Sequence, residues 1–155
     1  DTLNPLIRRC TLRAADGAAL PGFTAGAHVR VQVTLPDGRS DWRHYSLVCT
    51  APETDTGAPQ PHYTIAVRRE DAGRGGSRWM HGLQAGQRLT IEAPKNDFPL
   101  GADAAGAVLV AGGIGITPLG SMAAGCRAGG LPGSRSRSAN SPTAIPCDPE
   151  GSIRT

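Results

Sequence analysis

Aromatic side chains are scarce in this 155-residue chain: two each of Trp, Tyr and Phe make up 4% of it. A platform for single-stranded nucleic acid needs several such rings along a basic groove. The formal net charge of +3 is small and is not gathered into an arginine- or lysine-rich run, so nucleic acid is not an expected partner. No stretch approaches the roughly 18 apolar residues of a membrane span. The polar opening residues lead into no apolar segment with a cleavage site. The expectation is a soluble, cytoplasmic protein with no membrane partner. Paired-cysteine motifs are missing too. Cys10, Cys49, Cys126 and Cys147 lie at wide, unequal gaps that match neither zinc ligands nor the thiolate spacing of a plant-type iron–sulfur loop. His28, His44, His62 and His81 are equally dispersed, and no metal site is expected.

What is present is short-strand periodicity. Val29, Val31, Val33 and Leu35 alternate with His28, Arg30, Gln32 and Thr34, which predicts a half-buried strand over 28–35. Pro36, Asp37 and Gly38 form a turn, so 41–49 is predicted to return antiparallel. Further strands are predicted over 62–70, over 87–93 and, more weakly, over 7–14, and a helix over 77–83. The segment 50–61 is rich in Pro, Thr, Asp and Gly and reads as a surface connection. Short strands with turn chemistry between them argue an all-β, antiparallel barrel or sandwich over residues 1–100.

The character changes over 101–124. The apolar run Val108–Ala111 leads into Gly112, Gly113, Ile114, Gly115, Ile116, Thr117 and Pro118, which reads as strand, glycine turn and helix start. Thr117 is the expected N-cap and Pro118 the first helical residue. From Gly125 to Thr155, glycine, serine and proline make up 14 of 31 residues. Such a segment buries too little surface to offset its ordering entropy, and it holds no apolar strand candidate to complete an α/β unit. The expectation is a low-complexity, disordered tail at 125–155, behind a truncation or change of reading frame near 122–126.

Three clusters carry chemistry: Arg43-His44-Tyr45-Ser46 on a strand, Gly73-Arg74-Gly75-Gly76-Ser77 before a short helix, and the turn Gly112–Pro118. Gly75, Gly76 and Ser77 present consecutive backbone N–H groups at a helix N-terminus, with no Cβ on the glycines to obstruct approach, and Ser77 adds a hydroxyl. That is an anion cradle. The planar guanidinium of Arg43 suits a phosphate held there, and Tyr45 lies two residues on, on the same strand face. The motif Gly-x-Gly-x-x-Pro from Gly113 departs from the Gly-x-Gly-x-x-Gly dinucleotide fingerprint and is a weak signal alone.

In order and spacing these clusters resemble the flavin reductases of the ferredoxin-NADP reductase superfamily, most closely the phthalate dioxygenase reductase and vanillate demethylase reductase group. The resemblance covers residues 3–122 and includes the strand 63–69 and the segment 94–100. It implies a six-stranded Greek-key flavin-binding barrel, followed by the start of a nicotinamide-nucleotide domain. It assigns Arg43, His44, Tyr45 and Ser46 to the flavin, Ile65, Ala66 and Val67 to the edge of its ring, and Arg74, Gly75, Gly76 and Ser77 to its phosphate. Ser46 and Thr117 are the catalytic candidates near the reacting ring, and Gly112, Gly113, Gly115, Ile116 and Pro118 the nucleotide-binding ones. The loop ending on a single phosphate implies FMN over FAD. The implied reaction passes electrons from NAD(P)H through flavin to an iron–sulfur centre that serves a terminal oxygenase. Residues 125–155 hold neither the later strands of a nicotinamide domain nor the cysteine spacing of a [2Fe-2S] domain, so impaired turnover is expected of this chain. A barrel without flavin, serving as a protein-binding module or a remnant, is the alternative.

Overall fold

The computed structural model describes residues 2–48, 57–100, 108–128 and 137–138. The clearest ladder comes from the clearest alternation. Strands β3 (His28–Thr34) and β4 (Ser40–Ser46) pair antiparallel from His28↔Ser46 to Thr34↔Ser40, with the turn at Pro36–Gly38 between them. Val29, Val31 and Val33 are wholly buried, each stabilising the fold by about 1.5–3 kcal/mol. A second sheet orders β1 (Thr2–Asn4), β2 (Ile7–Leu12) and β5 (Tyr63–Arg68), all antiparallel. In this sheet β1 is without a counterpart in the periodicity; its three residues are all exposed and show no alternation of burial.

Single bridges join these sheets. Leu47 pairs with Ile65, and the Val48 N–H donates to the Thr64 carbonyl, so the continuation of β4 reaches β5. On the far side of β3, bridges run from Val31 to Ile91 and from His28 to Lys95. This last segment is the strand expected over 87–93, and it does not form a regular ladder. The Glu92 N–H donates to the Arg30 carbonyl, but the His28 carbonyl receives its bond from Lys95, one residue later than simple alternation requires. Position 94 is proline and has no N–H to give, so the register slips by one residue there. No pairing among the described residues joins the two ends of this series, and a closed barrel is not detected.

The inner faces converge on one core containing Phe23, Val29, Val31, Val33, Leu47, Tyr63, Ile65, Val67, Met80 and Leu83. Helix α1 (Gly76–Gly82) lies over one end of it and buries Met80 completely. Arg8 on β2 clasps the C-terminus of α1: its Nη1 donates to the His81 carbonyl and its Nη2 to the Leu83 carbonyl at 2.6 Å. A cation there satisfies carbonyls left without helical partners. His81 Nε2 donates to the Val67 carbonyl at 2.8 Å, fixing the same helix to β5.

Beyond residue 108 the chain forms β6 (Val110–Ala111), a 3-10 turn at Gly113–Gly115 and helix α2 (Ile116–Ala128). The helix therefore starts before Thr117, which is not its N-cap. The Thr117 hydroxyl instead donates back to the Ile114 carbonyl at 3.0 Å. Pro118 falls within the first turn, where a missing N–H is harmless. Helix α2 runs to Ala128, and β7 (Arg137–Ser138) pairs parallel with β6 through a two-residue contact that apolar patterning could not reveal. The remaining tail lies outside the described residues. Among the described residues no helix is long and apolar enough to cross a membrane, and no group of three or more His, Cys, Asp or Glu could hold a metal ion.

Candidate functional site: an anion cradle on one sheet face

Register decides which parts of the Arg43–Ser46 cluster can act together. Arg43 stands opposite Val31 and Tyr45 opposite Val29, so both side chains share the face that carries the buried valines. His44 and Ser46 are opposite Arg30 and His28 and project from the other face, where the His44 ring stacks on His28 with centroids 4.9 Å apart.

Helix α1 brings its N-terminus to the face of Arg43 and Tyr45. A methyl placed on Gly76 would come within 3.0 Å of Arg43 Nε and 3.2 Å of its Cγ, so the guanidinium stem lies across the first helical residue. Gly75, just before the helix, has φ +97°, and a Cβ there would strike Pro36 Cδ at 2.6 Å. The positive φ and the clash require glycine at 75, whereas at 76 a methyl would ask Arg43 to give way by a few tenths of an ångström. Helix α1 thus brings Gly76 against Arg43, with Pro36 packed beside Gly75.

Arg43 is held firmly. Its Nη1 donates to Asp41 Oδ2 at 2.5 Å and to the Trp42 carbonyl at 2.9 Å. Its Nη2 is buried and has no hydrogen-bond partner. A buried donor without a partner costs about 1–3 kcal/mol, and a phosphate oxygen would complete it. The other such atom among the described residues, Arg30 Nε, belongs to a guanidinium stacked 5.2 Å over the Trp42 ring. The charge balance also suits an anion. The Arg43 guanidinium is the main reason the Asp41 carboxyl sits below its usual range, and Arg74 adds to the effect. Two cations thus surround one carboxylate.

Tyr45 is largely buried against the core, and that burial pushes its hydroxyl up to about 12. It stays a neutral phenol under all ordinary conditions. Ser77 does not aim at the cradle alone: its hydroxyl accepts from the Glu70 N–H at 3.0 Å and closes the loop that carries Gly73 and Arg74. The side chains of Ile65 and Val67 are core, with essentially no exposure, so of that trio only Ala66 is open.

The glycine turn meets the sheet elsewhere. Gly112, Gly113 and Gly115 are exposed, Gly113 has φ +56°, and Ile116 and Pro118 lie in the first turn of α2. The buried Ser121 hydroxyl lies 2.8 Å from the Leu47 carbonyl and 3.4 Å from the Thr117 carbonyl. The second turn of α2 therefore abuts the chain just past the end of β4, one residue beyond Ser46. Three contributors escaped the sequence reading: Asp41, Pro36 and Arg8. Only Asp41 carried a signal, since strand alternation puts it on the face of Arg43.

With this geometry established, likeness to known proteins becomes informative. No protein-family model matches the chain. It is 44% identical over 116 residues to the phthalate dioxygenase reductase of Burkholderia cepacia, covering 74% of this chain. Over this stretch the chain is similar to phthalate dioxygenase reductases. It is also 46% identical over 117 residues to the heme-dependent oxidative N-demethylase beta subunit of Ectopseudomonas mendocina, covering 75% of this chain. The solved structure of a phthalate dioxygenase reductase, described as modular for electron transfer from pyridine nucleotides to [2Fe-2S], superposes with a TM-score of 0.71 and 38% identity. That superposition covers 89% of this chain and 39% of the other. The chain spans about a third of the length of the curated relatives it matches, 34% and 33% in the two cases.

Proposed function

We propose that this chain carries the flavin-binding unit of an oxygenase reductase, residues 1–100, and the opening strand, turn and helix of its nicotinamide-nucleotide unit, residues 101–124. The single observation that carries the reading is the buried, partnerless Nη2 of Arg43 beside the glycine cradle at Gly75 and Gly76. FMN is the flavin in this reading, with its phosphate between Arg43, Arg74 and the N–H groups of Gly76 and Ser77. The series of pairings from β1 through β2, β5, β4 and β3 to the Thr90–Lys95 segment supports a six-stranded Greek-key barrel as the frame. The similar reductases support NAD(P)H as donor and an iron–sulfur centre or oxygenase as acceptor, and the cytoplasm is the location that goes with this reading.

When bound, the flavin supplies conversion of a two-electron donor's hydride into single electrons. The residues of this chain bind and orient. Arg43 and Arg74 neutralise the phosphate. Tyr45, neutral and fixed against the core, offers a flat apolar surface beside it. Ser46, on the opposite strand face, and Thr117, at the start of α2, bracket the end of β4 where donor and flavin would meet.

The test is a visible absorption spectrum of the purified chain, with mass identification of any released cofactor. Flavin bands and released FMN support the reading. A colourless protein that takes up no added FMN overturns it.

A further inference from the structure

We infer that Asp41 is a positioning residue for the phosphate of the flavin, acting through Arg43: it fixes the guanidinium so that the Nε–Nη2 edge, and no other, is presented to the ligand. The inference rests on the flavin reading above and deepens it.

A guanidinium carries five N–H donors in a rigid plane, and a phosphate takes two of them along one edge. Which edge is available depends on what occupies the rest. Both hydrogens of Arg43 Nη1 are spent, one on Asp41 Oδ2 at 2.5 Å and one on the Trp42 carbonyl at 2.9 Å. The edges that contain Nη1 are therefore closed. The Nε–Nη2 edge remains. Its Nη2 has no partner, and its Nε is the Arg43 atom nearest to where a Gly76 side chain would begin.

Asp41 is itself immobilised. Its Oδ1 accepts the Trp42 backbone N–H at 2.8 Å while Oδ2 holds Arg43, so one carboxylate bridges the strand backbone and the guanidinium. Asp41, Arg43 and Tyr45 alternate along β4 and share one face, opposite Val33, Val31 and Val29. A long, flexible side chain is thus fixed before the ligand arrives, and the ordering cost is met by folding. The carboxylate also carries a negative charge that repels phosphate. Its presence is informative because it lowers the net positive charge of the cradle while aligning the fork, and fluorescence titration can separate the two effects.

The experiment titrates the full chain, stripped of cofactor, with FMN and with riboflavin, which lacks the phosphate. Four proteins are compared: the parent, Asp41→Ala, Asp41→Asn, and Asp41→Ala in an Arg43→Gln background. The inference expects Asp41→Ala to weaken FMN about 10-fold while riboflavin affinity stays within about 2-fold. Asp41→Asn, which keeps one acceptor, falls between. In the Arg43→Gln background, removing Asp41 has no further effect, because the group it acts through is gone. Equal losses for both ligands would mean a merely structural role and overturn the inference. Tighter FMN binding would mean that Asp41 competes with phosphate, and overturns it as well. A parent that binds riboflavin and FMN equally well overturns the inference and leaves a flavin site without a phosphate cradle. A parent that binds neither overturns the flavin reading itself.

Discussion

The stem of Arg43 lies across the backbone of Gly76, so close that a single methyl on the glycine would stand 3.0 Å from Arg43 Nε. Strand β4 and helix α1 meet at this contact, and the cradle depends on it.

The substitution Gly76→Ala therefore tests the cradle directly. Alanine is the better helix former by about 1 kcal/mol, so thermal stability should hold or rise slightly. The added methyl displaces the guanidinium by a few tenths of an ångström, and FMN affinity should fall about 10-fold. Gly75→Ala behaves differently. The positive φ and the clash with Pro36 Cδ at 2.6 Å make it destabilising by about 1–3 kcal/mol. Melting curves read beside FMN titrations separate the two.

Replacing Arg43 with Gln removes the charge and the partnerless donor together. Charge-assisted hydrogen bonds contribute about 1.5–3 kcal/mol each, so FMN should weaken by about 10- to 100-fold with circular dichroism unchanged. An unaltered FMN affinity would place the phosphate elsewhere.

Arg8 offers a stability prediction independent of any ligand. Its fork holds the His81 and Leu83 carbonyls at the end of α1. Arg8→Ala should cost about 2 kcal/mol and lower the unfolding midpoint by several degrees. Arg8→Lys, a point charge that cannot span both carbonyls, should recover only part of this. Thermal denaturation of the three proteins is the measurement.

Alkaline pH provides a fourth test. Burial raises the Tyr45 hydroxyl from its ordinary 10.0 to about 12 and raises that of Tyr63 as well. The folded state thus keeps protons that the unfolded chain loses first. This contribution to stability is complete below pH 10 and declines as pH climbs toward 12. The midpoint of unfolding should fall across that window, and Tyr45→Phe should make the fall shallower. Melting temperatures collected from pH 8 to 12 decide the matter.

Much of the fold could be read before any coordinates, for local reasons. The alternation at 28–34, the Pro-Asp-Gly turn and the return strand all draw on nearest neighbours, and the observed ladder follows them closely. The segment 87–93 failed as a regular strand because one proline lacks a donor at a position that only the partner strand defines. Thr117 was misread as a cap because the 3-10 turn at Gly113–Gly115 starts the helical path early. For the candidate site, alternation put Arg43 on one face with Tyr45. The bonds that aim Arg43 depend on side-chain rotamers, and Arg8 reaches α1 across 73 positions of sequence. Neither is visible in composition or period.

Ser121 ties helix α2 to the end of β4. Its hydroxyl is wholly enclosed and donates to the carbonyl of Leu47, itself without exposure. Pulling α2 away would leave that buried carbonyl without its hydroxyl donor, a loss of about 1–3 kcal/mol.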